Sequence, residues 1–107
     1  MQSLTYGTKP GEVRFAALDI LKPSGEWVAA DDFRNACGVF RVPLVPLICI
    51  CDFNFEELCK LAEGKSLIPG ADHVREGIVV RPMVERYHQN IGRVVLKIVG
   101  AGYLENA

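Results

Sequence analysis

The sequence predicts an α+β fold, a mainly antiparallel sheet with two short helices, and three observations lead there. Short apolar runs rich in β-branched residues alternate with clusters of Gly and Pro, as strands between turns do. Apolar residues at helical spacing are confined to two brief stretches. At 107 residues, with no internal repeat, low-complexity tract or interdomain linker, the chain is expected to form one domain at most.

Met1 to Gly11 reads as irregular after a short extended start, because Gly7, Pro10 and Gly11 break any pattern. Glu12 to Leu21 is the first strand candidate, closed by a turn at Pro23, Ser24 and Gly25, with Trp27 and Val28 beginning the returning strand. Asp31 or Asp32 can cap a short helix through Asn35, Ala36 and Cys37 that ends at Gly38. Val39 to Cys51 is apolar and β-branched, but Pro43 and Pro46 make it an edge or crossing segment. The second helix has the clearest signal: Asn54 as N-cap, Glu57 three residues on, then Leu58, Leu61 and Ala62 before Gly64. Lys65 to Asp72 is a loop, followed by strands at Gly77–Val80 and Val94–Val99. The connection from Met83 to Gly92 is polar and is expected to expose Glu85, Arg86, His88 and Gln89.

Composition narrows the function classes. Half the residues are apolar and 23% are charged, which argues against disorder. The net charge of −1 gives no global attraction to a polyanion. Arg75, Arg81, Arg86 and Arg93, with His73 and His88, form a local basic excess, most simply a solvated face. No stretch is long enough to span a membrane and no signal peptide is apparent, so a cytoplasmic location is expected. Cys37, Cys49, Cys51 and Cys59 lack the spacing of a zinc site and read as small buried thiols.

Two charged residues stand out. Glu76 opens the run Glu76-Gly77-Ile78-Val79-Val80-Arg81, and Lys97 lies inside Val94-Val95-Leu96-Lys97-Ile98-Val99. A charge on a strand that reads as buried is costly unless it is paired. The plain reading is a cross-strand Glu76–Lys97 pair that fixes register. The alternative is a site that meets a phosphate and a metal.

These segments also resemble a family. Glu76 to Arg81 resembles motif IV of the covalent nucleotidyltransferases, the superfamily of ATP-dependent RNA and DNA ligases and mRNA capping enzymes. Lys97 resembles the first lysine of motif V, and Phe15-Ala16-Ala17-Leu18-Asp19-Ile20 is similar to motif IIIa. Gln2 to Gly7 resembles the segment after motif III in bacterial and phage RNA ligases, and the series ends in Tyr103-Leu104. The order of the matches points to the RNA ligase branch. The implied fold is the C-terminal half of an ATP-grasp-like nucleotidyltransferase domain, making residues 1–107 a single partial domain.

The resemblance implies roles residue by residue. Glu76 would act at the metal and phosphate end of the site, Lys97 would contact the α-phosphate, and Phe15 would pack beside the nucleotide. The implied cofactors are ATP, used through an enzyme–AMP intermediate, and Mg²⁺ or Mn²⁺; the implied substrates are RNA ends. Asp19 is read as structural. The chain departs from the pattern in having no Lys-x-Asp-Gly, no motif III glutamate, and Val99 in place of a second motif V lysine. It is therefore expected to be inactive alone, to need a chain carrying the missing N-terminal half, and to self-associate through uncovered apolar surface. A reading from a different class is a non-catalytic RNA-binding module using the loop 81–93, with Arg81, Arg86 and Arg93 on the phosphates and Tyr87 and His88 stacking on bases.

Overall fold

The computed structural model describes residues 4–105. They form three helices and two short two-stranded sheets: α1 (Ala30–Val39), α2 (Phe55–Leu61), β1 (Gly77–Val80), β2 (Tyr87–His88), β3 (Gly92–Arg93), β4 (Leu96–Val99) and α3 (Ala101–Glu105). β1 pairs with β4, and β2 pairs antiparallel with β3. The α+β class holds at this level, with one helix more than expected. By its contacts the chain divides into two compact units. One holds the residues up to Arg14, Pro46–Val79 and the chain from Lys97 onward; the other holds Phe15–Val45 and Val80–Leu96.

The unit built from Phe15–Val45 and Val80–Leu96 packs around Ala17, Phe33 and Cys37, with Ile20, Val28, Val42 and Leu44 against them. The expected strand at Glu12–Leu21 is reduced to single-residue bridges. Ala17 bridges Leu44 in parallel and Leu21 bridges Trp27 in antiparallel sense. The parallel bridge departs from the antiparallel expectation, and its brevity has a chemical cause. Ala17 N donates to Pro43 O at 2.7 Å and Val45 N donates to Ala17 O at 3.0 Å. Pro43 has no N–H with which to extend the ladder toward Phe15. The Pro23-Ser24-Gly25 turn forms as read: Gly25 N donates to Lys22 O at 2.9 Å with Gly25 at φ 90°.

Helix α1 is capped differently from the expectation. Ala29, not Asp31 or Asp32, is the N-cap and offers no side-chain acceptor; both aspartates lie in the first turn, where they face the positive end of the helix dipole. The helix runs one residue past Gly38. It ends with Arg41 N donating to Gly38 O and Val42 N donating to Cys37 O. This Schellman arrangement puts a non-glycine residue, Arg41, at φ 55°.

The other unit packs α2 through Leu58 and Ala62, with Ile78 of β1 also buried. Asn54 caps α2 as expected, its Oδ1 accepting from Glu57 N at 3.1 Å. Arg75 donates to the carbonyls of Leu61 and Lys65, satisfying acceptors at the C-terminal end of α2. Helix α3 starts on the Glu63 carboxylate, which accepts from the backbone N–H of Ala101 and Gly102. Two close backbone approaches depend on glycine. A Cβ on Gly77 would collide with the Ile98 carbonyl, and one on Gly7, at φ 78°, would meet the Gly70 carbonyl carbon at 2.5 Å.

Candidate functional site

Glu76 immediately precedes β1, and Gly100 N donates to its carbonyl at 2.8 Å, so the β1–β4 pairing continues one step beyond the assigned strands. The same pairing carries Lys97 on β4. The two residues first singled out in the sequence are thus held on paired strands by the close backbone fit at Gly77.

The register-fixing ion pair is not what holds them. Among the described residues Glu76 makes no salt bridge with Lys97, and the lysine is exposed, with no carboxylate on its ammonium. Strand β4 is not the buried run its sequence suggests: Leu96, Lys97 and Val99 are all exposed. An exposed lysine on a strand can turn toward an anion at little cost.

Glu76 is half-buried and faces Tyr6. Burial, the hydrogen bond to the Glu76 carboxylate and its negative charge, and nearby Tyr103 all push the Tyr6 phenol above its usual range, so the proton stays on Tyr6. Tyr6 is itself held. Its backbone N–H donates to His73 Nε2 at 3.1 Å, and the two rings meet edge to face with centroids 4.6 Å apart. His73 Nδ1 lies 2.9 Å from Val74 O, which fixes the tautomer with the proton on Nδ1 and leaves Nε2 to accept. Tyr6 sits at φ 51°, a left-handed position that a tyrosine adopts only when its surroundings impose it. The sequence reading gives Tyr6, His73 and Tyr103 no role beside Glu76. No local spacing brings Tyr6 to them, since it lies 67 positions from His73 and about 70 and 100 from Glu76 and Tyr103.

The remaining site candidates belong to the other unit. Phe15 is 69% exposed. Arg81 and Arg93 are not free basic groups. Arg81 Nη1 donates to Asp19 Oδ1 at 2.8 Å and its Nη2 donates to Val28 O at 2.8 Å. Arg93 Nη1 lies 2.6 Å from Asp19 Oδ2 and its Nε donates to Glu85 Oε1 at 2.5 Å. All four side chains are between 13% and 17% exposed. Glu85 is therefore half-buried between arginines, where the sequence reading exposed it. The two guanidiniums also lie against aromatic faces, Arg93 4.1 Å from the Trp27 ring centroid and Arg81 5.8 Å from that of Phe33. Burial works against charge on Arg93, but the hydrogen bonds and charges of Asp19 and Glu85 outweigh it and raise its pKa further. Asp19 has the structural role read for it. Arg86, Tyr87 and His88 remain exposed on or beside β2.

Of the thiols only Cys37 is buried; Cys49 and Cys51, expected inside, are exposed. Among the described residues no group of three or more His, Cys, Asp or Glu is placed to hold a metal ion. A lone carboxylate fits a divalent cation that arrives with phosphate oxygens, since Mg²⁺ keeps several waters and needs one or two protein carboxylates. Among the described residues no helix is long and apolar enough to cross a membrane.

Comparison with known proteins agrees with the motif order. No curated protein and no solved structure matches the chain. The RNA ligase family model, however, matches residues 2–99, a span that includes Phe15, Asp19, Glu76, Arg81 and Lys97. With more than nine-tenths of its residues inside that match, the chain belongs to the RNA ligase family.

Proposed function

We propose that this chain supplies the metal- and phosphate-contacting wall of an ATP-dependent RNA ligase site, with Glu76 and Lys97 as its working residues. The observation that carries this reading is the placement, on paired strands, of a lysine with no described carboxylate partner on β4 and a tyrosine-held carboxylate beside β1, both inside the RNA ligase match. Adenylyl transfer is largely positioning plus neutralisation of phosphate oxygens. Lys97 would meet the α-phosphate of ATP, and Glu76, oriented by Tyr6, would hold Mg²⁺ or Mn²⁺ already carried by the nucleotide. Phe15 would pack beside the base. The fold corresponds on this reading to the C-terminal half of an ATP-grasp-like ligase domain, one partial domain acting in the cytoplasm on RNA ends.

No Lys-x-Asp-Gly lies within the 107 residues, so the nucleophilic lysine is supplied from outside them. Incubated with labelled ATP and Mg²⁺, the chain alone is expected to gain no covalent AMP; an adduct on Lys97 or any other lysine would contradict the assignment. Exposed Val13, Phe15, Val39 and Phe40 favour self-association, or cover by a chain carrying the missing half. A monomer by light scattering at micromolar concentration would argue against that part of the reading.

A second reading, RNA binding through the loop 81–93, is favoured by exposed Arg86 and by Tyr87, which is 61% exposed. With Arg81 and Arg93 engaged by carboxylates, Arg86, Tyr87 and His88 would carry it. Salt-dependent RNA binding lost on Arg86→Ala supports this reading, and no binding at low salt removes it.

A further inference from the structure

We propose that Cys49 and Cys51 form a redox-sensitive dithiol that closes into an intrachain disulfide by exchange with a small-molecule disulfide of the glutathione class. The dithiol stands apart from the ligase reading, because both thiols belong to one short segment and each is the other's hydrogen-bond neighbour.

Both thiols are exposed, and their Sγ atoms lie 3.7 Å apart, within hydrogen-bonding distance of each other. Only one residue, Ile50, separates them, so once one thiol is captured the other is at hand in the same segment. The two sulfurs must approach to about 2.05 Å to bond. Little opposes that movement. Residues 46–53 lie outside every helix and strand and, among the described residues, donate no backbone hydrogen bond, so no described ladder has to break. The other two thiols are poor competitors, Cys37 being buried and Cys59 half-buried on α2.

The chemistry balances in two exchanges. The thiolate of one cysteine attacks a sulfur of the small disulfide, forms a mixed disulfide and expels one small thiolate. The second cysteine, after losing its proton, attacks the protein sulfur of that mixed disulfide and expels the other small thiolate. The protein loses two protons and two electrons, and the small disulfide is reduced to two thiols. Thiolate is the reacting form, and the Cys51 thiol is held up chiefly by its hydrogen bond with Cys49, with the negative charge of Asp52 adding to it. Exchange should therefore accelerate as pH rises. A ring this small gains little from loop closure and is strained, so the disulfide is easily reduced and the pair responds in both directions.

The test uses the full chain, reduced, freed of reductant and incubated with oxidised glutathione, then quenched with acid and alkylated. The expected result is a species about 2 Da lighter before alkylation, with two thiols protected, mapping to a Cys49–Cys51 link and reversed by dithiothreitol. In Cys51→Ser the first step should be trapped as a stable glutathione adduct on Cys49. Wild-type chain that keeps glutathione on either thiol without closing the ring overturns the proposal. So do protection of Cys37 or Cys59 instead, disulfide-linked dimers in place of the ring, or no reaction.

Discussion

The chain places its charges in two ways, and the contrast separates those neutralised within the fold from those that are not. In one unit Asp19, Arg81, Glu85 and Arg93 form a half-buried quartet with equal numbers of each sign, packed on Trp27 and Phe33. In the other, Glu76 is met by a neutral phenol and Lys97 by no described partner. Charges that neutralise one another out of water resist removal, because losing one strands its partners. An exposed lysine can be removed at almost no cost to folding.

Breaking the quartet should therefore give the largest effect. Arg81→Ala leaves two half-buried carboxylates to Arg93 alone and is expected to cost about 3–5 kcal/mol, enough to unfold much of the protein. Chemical denaturation, or loss of the tryptophan signal from Trp27, would register it. A near-neutral result would mean that the quartet is an exposed network of little weight. Gly77→Ala attacks the opposite unit through its backbone and should cost on the order of 1–3 kcal/mol by forcing β1 away from β4. Asn54→Ala removes the α2 cap and should cost about 1 kcal/mol. Arg41→Gly relieves the left-handed position after α1 and should stabilise by up to about 1 kcal/mol.

The Tyr6–Glu76 contact adds a pH signature. Because the folded state holds the Tyr6 phenol above its usual value of 10.0, its stability is intact below that pH and falls as pH rises beyond it, where the unfolded chain ionises first. Tyr6→Phe should remove this slope from alkaline unfolding curves. An unchanged slope would show that Tyr6 does not share its proton with Glu76.

What could be read in the sequence follows the range of the interactions. Asn54 with Glu57, the Pro23–Gly25 turn and the run at Gly77–Val80 are local signals, and each formed as read. The strand at Glu12–Leu21 did not, because the ladder at Ala17 meets Pro43, a residue 26 positions away that has no N–H to offer. The arginines of loop 81–93 looked like a solvated face because the carboxylate that engages both, Asp19, lies more than 60 positions upstream. The same holds for Tyr6, which meets His73 and Glu76 from 67 and 70 positions upstream. Glu76 and Lys97 were legible as costly charges, but the sequence paired them with each other, and folding pairs only their strands.

The most direct test of this division measures ATP–Mn²⁺ binding and thermal unfolding side by side for wild type, Lys97→Ala and Arg81→Ala. The account predicts that Lys97→Ala abolishes nucleotide binding while leaving stability within about 0.5 kcal/mol of wild type, and that Arg81→Ala lowers the unfolding temperature sharply. Nucleotide binding that survives Lys97→Ala, or a Lys97→Ala protein as unstable as Arg81→Ala, would contradict it.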